Sequence, residues 1–121
     1  MLKKGWKVSD DIDLSFNPRG GEIVGLSDKE WKKLIVNAQG FWTGKTTEGK
    51  VASVTFWTGL RAVPVWTSRE AADQKISEHW PTDSVFEIID RNEFVHKIKK
   101  NKIQWVAINF NCNECDTVAC I

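Results

Sequence analysis

The chain has 121 residues, with 17 Lys and Arg against 16 Asp and Glu and a formal net charge of +1. That length holds one hydrophobic core and excludes two independent ones. The near balance of charge excludes a global electrostatic pull toward nucleic acid or an anionic membrane. In "MLKKGWKVSDDIDLSF" two lysines open the chain, but no apolar run of seven or more residues follows. No secretory signal is read there, no stretch approaches a membrane span, and a cytoplasmic setting is expected.

Residues 1–25 form an N-terminal extension with little periodicity. Its "FNPRGG" is a turn signal that short strands, "IDLSF" and "EIVGL", would flank. A core region, 26–111, follows. Ser27 and Glu30 have capping-box spacing, and Trp31, Leu34 and Ile35 recur at helical intervals, which predicts a helix over 28–39 with Gly40 as its stop. "VASVTFW" alternates as a half-buried strand, and "LRAVPVW" is a second strand joined to it through Thr58 and Gly59. The two, 51–57 and 60–66, should form a hairpin, with Pro64 placing the second at an edge or a bulge. Thr67 with Glu70 predicts a helix over 68–79, with Ala71, Ala72 and Ile76 inward and Pro81 beyond it. "SVFEIID" is a strand. Asp90 caps a helix over 91–100 with Phe94, Val95 and Ile98 inward, and "IQWVAINF" is the last strand. Residues 112–121 form a cysteine-bearing tail. The fold class expected is α+β: a single domain with a mainly antiparallel sheet and about three helices packed on one face through Trp31, Leu34, Ile76, Phe94 and Ile98.

Three groups of residues bear on function. "FWTGKTTEGKV" spells Gly44, four residues, then Gly49 and Lys50, close to a phosphate-binding loop. A working loop feeds a helix and carries Ser or Thr after the Lys, to hold magnesium. Here Val51 and a strand follow. The stretch is read as a polar hairpin loop with glycines at positive φ, and no nucleotide is expected. In the tail, "CNECDTVAC", Cys112 and Cys115 have the spacing of a shared zinc or a redox pair, with Cys120 a third thiol. A fourth ligand is not placed by the sequence: His79 and His96 fall on different helices. A frayed terminus is the favoured reading, so no metal and no cofactor are expected, and deleting residues 113–121 should cost little stability. The clustered, odd thiols fit a reducing compartment. The basic run "HKIKKNK" is read as a solvated helix end, favoured by the helix dipole, and nucleic acid is disfavoured as a partner.

The seven Trp, with six Phe and no Tyr, exceed what a core this small needs. Trp31 and Trp105 lie among apolar residues and are assigned to the core. Trp6, Trp42, Trp57, Trp66 and Trp80 lie at element ends. Trp66 and Trp80 flank one helix and Trp57 ends the neighbouring strand, so Trp57, Trp66 and Trp80 are the candidate protein-binding face.

From about Asp28 to Asn111 the chain resembles a family of small bacterial proteins catalogued as domain of unknown function 2750. The residues that carry this are "VPVWTSREAA", then Trp80, "IIDRNEFVHKI" and "WVAINFN". The resemblance implies the α+β fold and a bacterial, cytosolic setting. It supplies no catalytic residues, and the first 25 residues and the cysteine tail lie outside it. The function expected is a protein-binding module without catalytic activity. The sharpest form is an immunity protein that covers the active site of a cognate toxin domain. A metal-binding or thiol-redox protein using Cys112, Cys115 and Cys120 is the alternative.

Overall fold

The computed structural model describes residues 12–18, 22–38, 40–45, 50–80, 84–87, 91–111 and 115–120. Local signals set the helix starts. The Glu30 N–H donates to the Ser27 hydroxyl at 3.2 Å, and the Ser27 N–H donates to Glu30 Oε1 at 3.1 Å. This reciprocal cap starts α1 (Asp28–Asn37). The bond from the Ser27 backbone, then that from its hydroxyl, holds the Glu30 carboxyl below its ordinary value. The second helix, α2 (Arg69–His79), is capped by Ser68, whose hydroxyl accepts from the Ala71 N–H. Thr67 is therefore not the cap. Its N–H and hydroxyl both donate to Asn109 Oδ1, at 3.0 and 3.2 Å. Asn109 sits at φ 50, a left-handed position that Asn tolerates, and its own N–H donates to the Val65 carbonyl. The third helix, α3 (Arg91–Lys100), keeps the expected bounds, and Asp90 lies outside the described residues.

Eight strands join these helices: β1 (Ile12–Phe16), β2 (Glu22–Leu26), β3 (Trp42–Lys45), β4 (Val51–Thr55), β5 (Arg61–Val65), β6 (Ser84–Glu87), β7 (Trp105–Ile108) and β8 (Cys115–Cys120). They form one mixed sheet in the order β2-β8-β7-β5-β4-β3-β6, with β1 beside β4. Antiparallel ladders outnumber parallel ones by four to three. The domain is α+β. "IDLSF" and "EIVGL" are strands as read, and both pair within the sheet, β1 with β4 and β2 with β8. The segment set apart as an extension thus contributes two strands.

The β4–β5 hairpin forms, with Val54 opposite Ala62 and Thr55 opposite Arg61. Its loop is Trp57-Thr58-Gly59. The Phe56 N–H donates to the Leu60 carbonyl and the Gly59 N–H to the Phe56 carbonyl, each at 2.8 Å. Gly59 takes φ 91, the left-handed position that closes a three-residue hairpin loop.

Pro64 does not mark an edge, because β5 lies between β7 and the β3–β4 pair. The Val65 carbonyl accepts from Asn109 beyond β7, so the alternate residues Ala62, Pro64 and Trp66 address the other side. On that side β4 pairs with Arg61 and Ala62, while Trp42 of β3 pairs with Trp66. Pro64 falls where one partner gives way to the other, so its missing N–H breaks no ladder bond. Its carbonyl accepts from the buried Thr43 hydroxyl at 2.7 Å.

Side chains alternate across a sheet, and here each side meets a helix layer. Val63, Val65, Val106, Ile108 and Ala119 pack with Trp31 of α1 and with Phe94 and Ile98 of α3. Ala62, Trp66, Ala107 and Val118 pack with Ala72 and Ile76 of α2. Two helices therefore share one face and α2 covers the other, a correction to the one-face layout. The parity of Ile76's partners decides it.

The tail reading is overturned. Residues 115–120 are β8, lying between β2 and β7. Asp116, Val118 and Ala119 are buried, and Asp116 Oδ1 accepts from the Asn111 N–H at 3.2 Å. Val118 and Ala119 enter the two opposite core layers. A frayed end would pair with neither neighbour.

Candidate functional site

Gly44 and Lys50 do not build a phosphate site. Lys50 leads into β4, which pairs with β3 through Lys45 and Val51, so no helix N-terminus follows it. Gly44 lies in β3 and is not at positive φ, as the loop reading had it. Its reason is contact: a Cβ there would lie 2.2 Å from Ile76 Cδ1. The missing side chain lets α2 approach the sheet. Gly49 lies outside the described residues.

Two of the three cysteines lie far apart along one strand. Cys115 and Cys120 stand at opposite ends of β8, five residues apart. At about 3.3 Å per residue their backbones are roughly 16 Å apart. They cannot share one ion, which removes the three-thiolate set. Cys120 is free and exposed, and Cys112 lies outside the described residues. No three His, Cys, Asp or Glu gather as metal ligands among the described residues. The histidines belong to helices on opposite faces of the sheet. His79 packs at 4.5 Å on Phe16 and contacts Trp80 and Phe110, while His96 is exposed.

The three candidate tryptophans separate. Trp66 is 1% exposed and Trp80 4%, whereas Trp57 is 63% exposed. Trp66 and Trp80 meet edge to face at 6.4 Å, within a cluster that includes Phe16, Phe56 and Phe110. The Trp66 indole N–H donates to the Phe110 carbonyl at 2.7 Å. Element ends look exposed in a sequence, but α2 folds back over the sheet and covers both. Trp66 and Trp80 are scaffold, and the three-tryptophan face does not exist.

Trp57 opens the β4–β5 loop, and the rest of that loop walls a groove. The groove is about 520 Å³ and is lined by Thr58, Gly59, Leu60, Arg61, Lys102, Gln104 and Trp105. The parallel register that sets Ala62 beside Trp105 brings the loop to the α3–β7 connection. The lining offers two cations, an amide, a hydroxyl and a half-buried indole, groups suited to binding. A second groove, about 580 Å³, lies along α1 between Leu26, Glu30, Lys33, Leu34, Asn37, Ala38 and Thr67. Although larger, it is the weaker candidate. Glu30 is committed to the Ser27 cap and Thr67 to Asn109.

Trp57 was legible in the sequence as a tryptophan at an element end, but the groove beside it was not. Its walls join the Thr58-Gly59 turn to the Lys102 connection, which is distant in the chain.

Fold and groove together define a mixed-sheet α+β domain with an aromatic, cationic end. No protein-family model, no curated protein and no solved structure matches the chain. No helix among the described residues is long and apolar enough to cross a membrane.

Proposed function

We propose that the chain is a protein-binding module that acts by contact rather than catalysis. In its sharpest form it is an immunity protein of a bacterial cytoplasm that covers a toxin domain, in keeping with the family resemblance. The observation that carries the reading is Trp57, 63% exposed at the tip of a tight hairpin. A large aromatic held in water by a rigid turn gains most when a partner desolvates it, and such anchors dominate interface energies. The hairpin bonds fix its position in advance, which lowers the ordering cost of association.

The test is a calorimetric titration with the toxin domain encoded by whichever secreted-toxin gene is found beside this one. Trp57→Ala should weaken the complex by about 2 kcal/mol, roughly 30-fold. The melting midpoint should stay unchanged, because Trp57 lies outside both core layers. Unchanged affinity would show that the loop is not the contact surface.

A further inference from the structure

The sheet stops at β2, and that edge carries little to guard it. β2 pairs with β8 through five positions without a bulge, and no strand among the described residues lies on its other side. An edge strand offers a row of backbone N–H and carbonyl groups to any second strand, so proteins blunt it with lysine, proline or a bulge. Past Glu22, β2 reads Ile-Val-Gly-Leu and has none of these. Val24 is 38% exposed. Gly25 adds a second observation. Gly44 and Gly59 each have a reason inside the chain, the one a close contact and the other a positive φ. Gly25 has neither: its φ is not positive, and a Cβ there would meet nothing within 4 Å. Glycine weakens a strand, and one with no internal reason often marks a place where another backbone comes close.

We propose that β2 is a self-pairing edge, joining antiparallel to β2 of a second copy about a two-fold axis through Val24. The strand selects a second copy because in this register it complements itself. Val24 meets Val24 of the second copy, Ile23 lies opposite Gly25, and Glu22 lies opposite Leu26. Opposed residues of an antiparallel pair share a face of the sheet. Ile23 packs in the layer that α2 covers, and so does Val118, the partner of Gly25 in β8. Ile23 of each copy therefore covers the bare backbone of Gly25 in the other. Val24 takes the opposite face with Leu26, which packs against the layer of α1 and α3. The two Glu22 residues stand about 13 Å apart along the strands, beyond the screening length at physiological salt. Such an isologous contact closes on itself. β8 and β7 separate it from β5 and the Trp57 loop, so it is independent of the toxin-binding reading.

Sedimentation velocity of the full chain over a range of concentrations is the test. A dimer that grows with concentration is expected, with contacts between Val24 methyls of labelled and unlabelled copies in a filtered nuclear Overhauser spectrum. Val24→Lys and Val24→Glu should each weaken self-association about tenfold, since like charges then face each other across the axis. Mixing the two variants should restore it, because unlike charges now meet. Both should melt close to the dilute parent, because Val24 lies outside both core layers. A chain that stays monomeric at every concentration overturns the proposal. So does a dimer that neither variant weakens, or a mixture that associates no better than either variant alone. In the dilute monomer alternate β2 amides should exchange fast. Slow exchange of all of them would also overturn it, because a segment of the same chain would then cover the edge.

Discussion

A chain truncated after Glu114 is expected not to fold. The lost residues contain β8, which pairs through five positions with β2 and through four with β7. Without it β2 has no strand partner among the described residues, and β7 becomes an edge. Val118 and Ala119 leave voids in both core layers at once. Apolar burial, at about 1.5–3 kcal/mol for a large side chain, is only part of the loss. The larger part is two severed ladders in a domain whose whole stability is of order 5–15 kcal/mol. Circular dichroism and a proton–nitrogen spectrum are the checks. Loss of the cooperative melt and of amide dispersion is expected, whereas a midpoint within a few degrees of the full chain would show that β8 is dispensable.

Trp66→Ala should be among the most damaging single substitutions. It removes a ring that is 1% exposed, empties the contact with Trp80 and strips the Phe110 carbonyl of its indole donor. Large aromatic truncations in a core cost about 3–5 kcal/mol, which corresponds to a fall of about 10–20 °C in a domain of this size. Trp66→Phe separates the terms. It keeps most of the apolar volume and loses the hydrogen bond, so the expected cost is about 1–3 kcal/mol. A thermal melt in which Trp66→Ala loses only a few degrees would contradict the burial, and Trp66→Phe as stable as the parent would show that the Phe110 bond contributes nothing.

Much of the fold was legible because local chemistry determines it. Ser27 and Glu30 announce a helix start through a bond pattern that three residues complete. The Trp57-Thr58-Gly59 loop announces a hairpin because only glycine readily takes the closing conformation. What was hidden depends on contacts between distant segments. "CDTVAC" has few apolar residues and carries Asp116, so it does not read as an inner strand. The carboxylate is held there by the Asn111 N–H, a partner no periodicity reveals. Thr67 has the spacing of a cap, yet Asn109 claims it from across the fold. The candidate face failed for a related reason. Trp66 and Trp80 sit at element ends, but whether an end is covered depends on which face its helix takes. That is set by Ile76 packing over Gly44. Pro64 misled in the same way, its edge signal reflecting a fork in the sheet.

The central claim is that the protein acts through the end of the sheet formed by the Trp57 loop and the α3–β7 connection. Amide hydrogen exchange of the chain, free and bound to its cognate toxin domain, tests this most directly. Slowed exchange confined to residues 56–61 and 101–105, with the α1 groove unchanged, is the expected footprint. Protection centred on Leu26, Lys33 and Asn37 instead, with the Trp57 loop exchanging as in the free chain, would contradict the account.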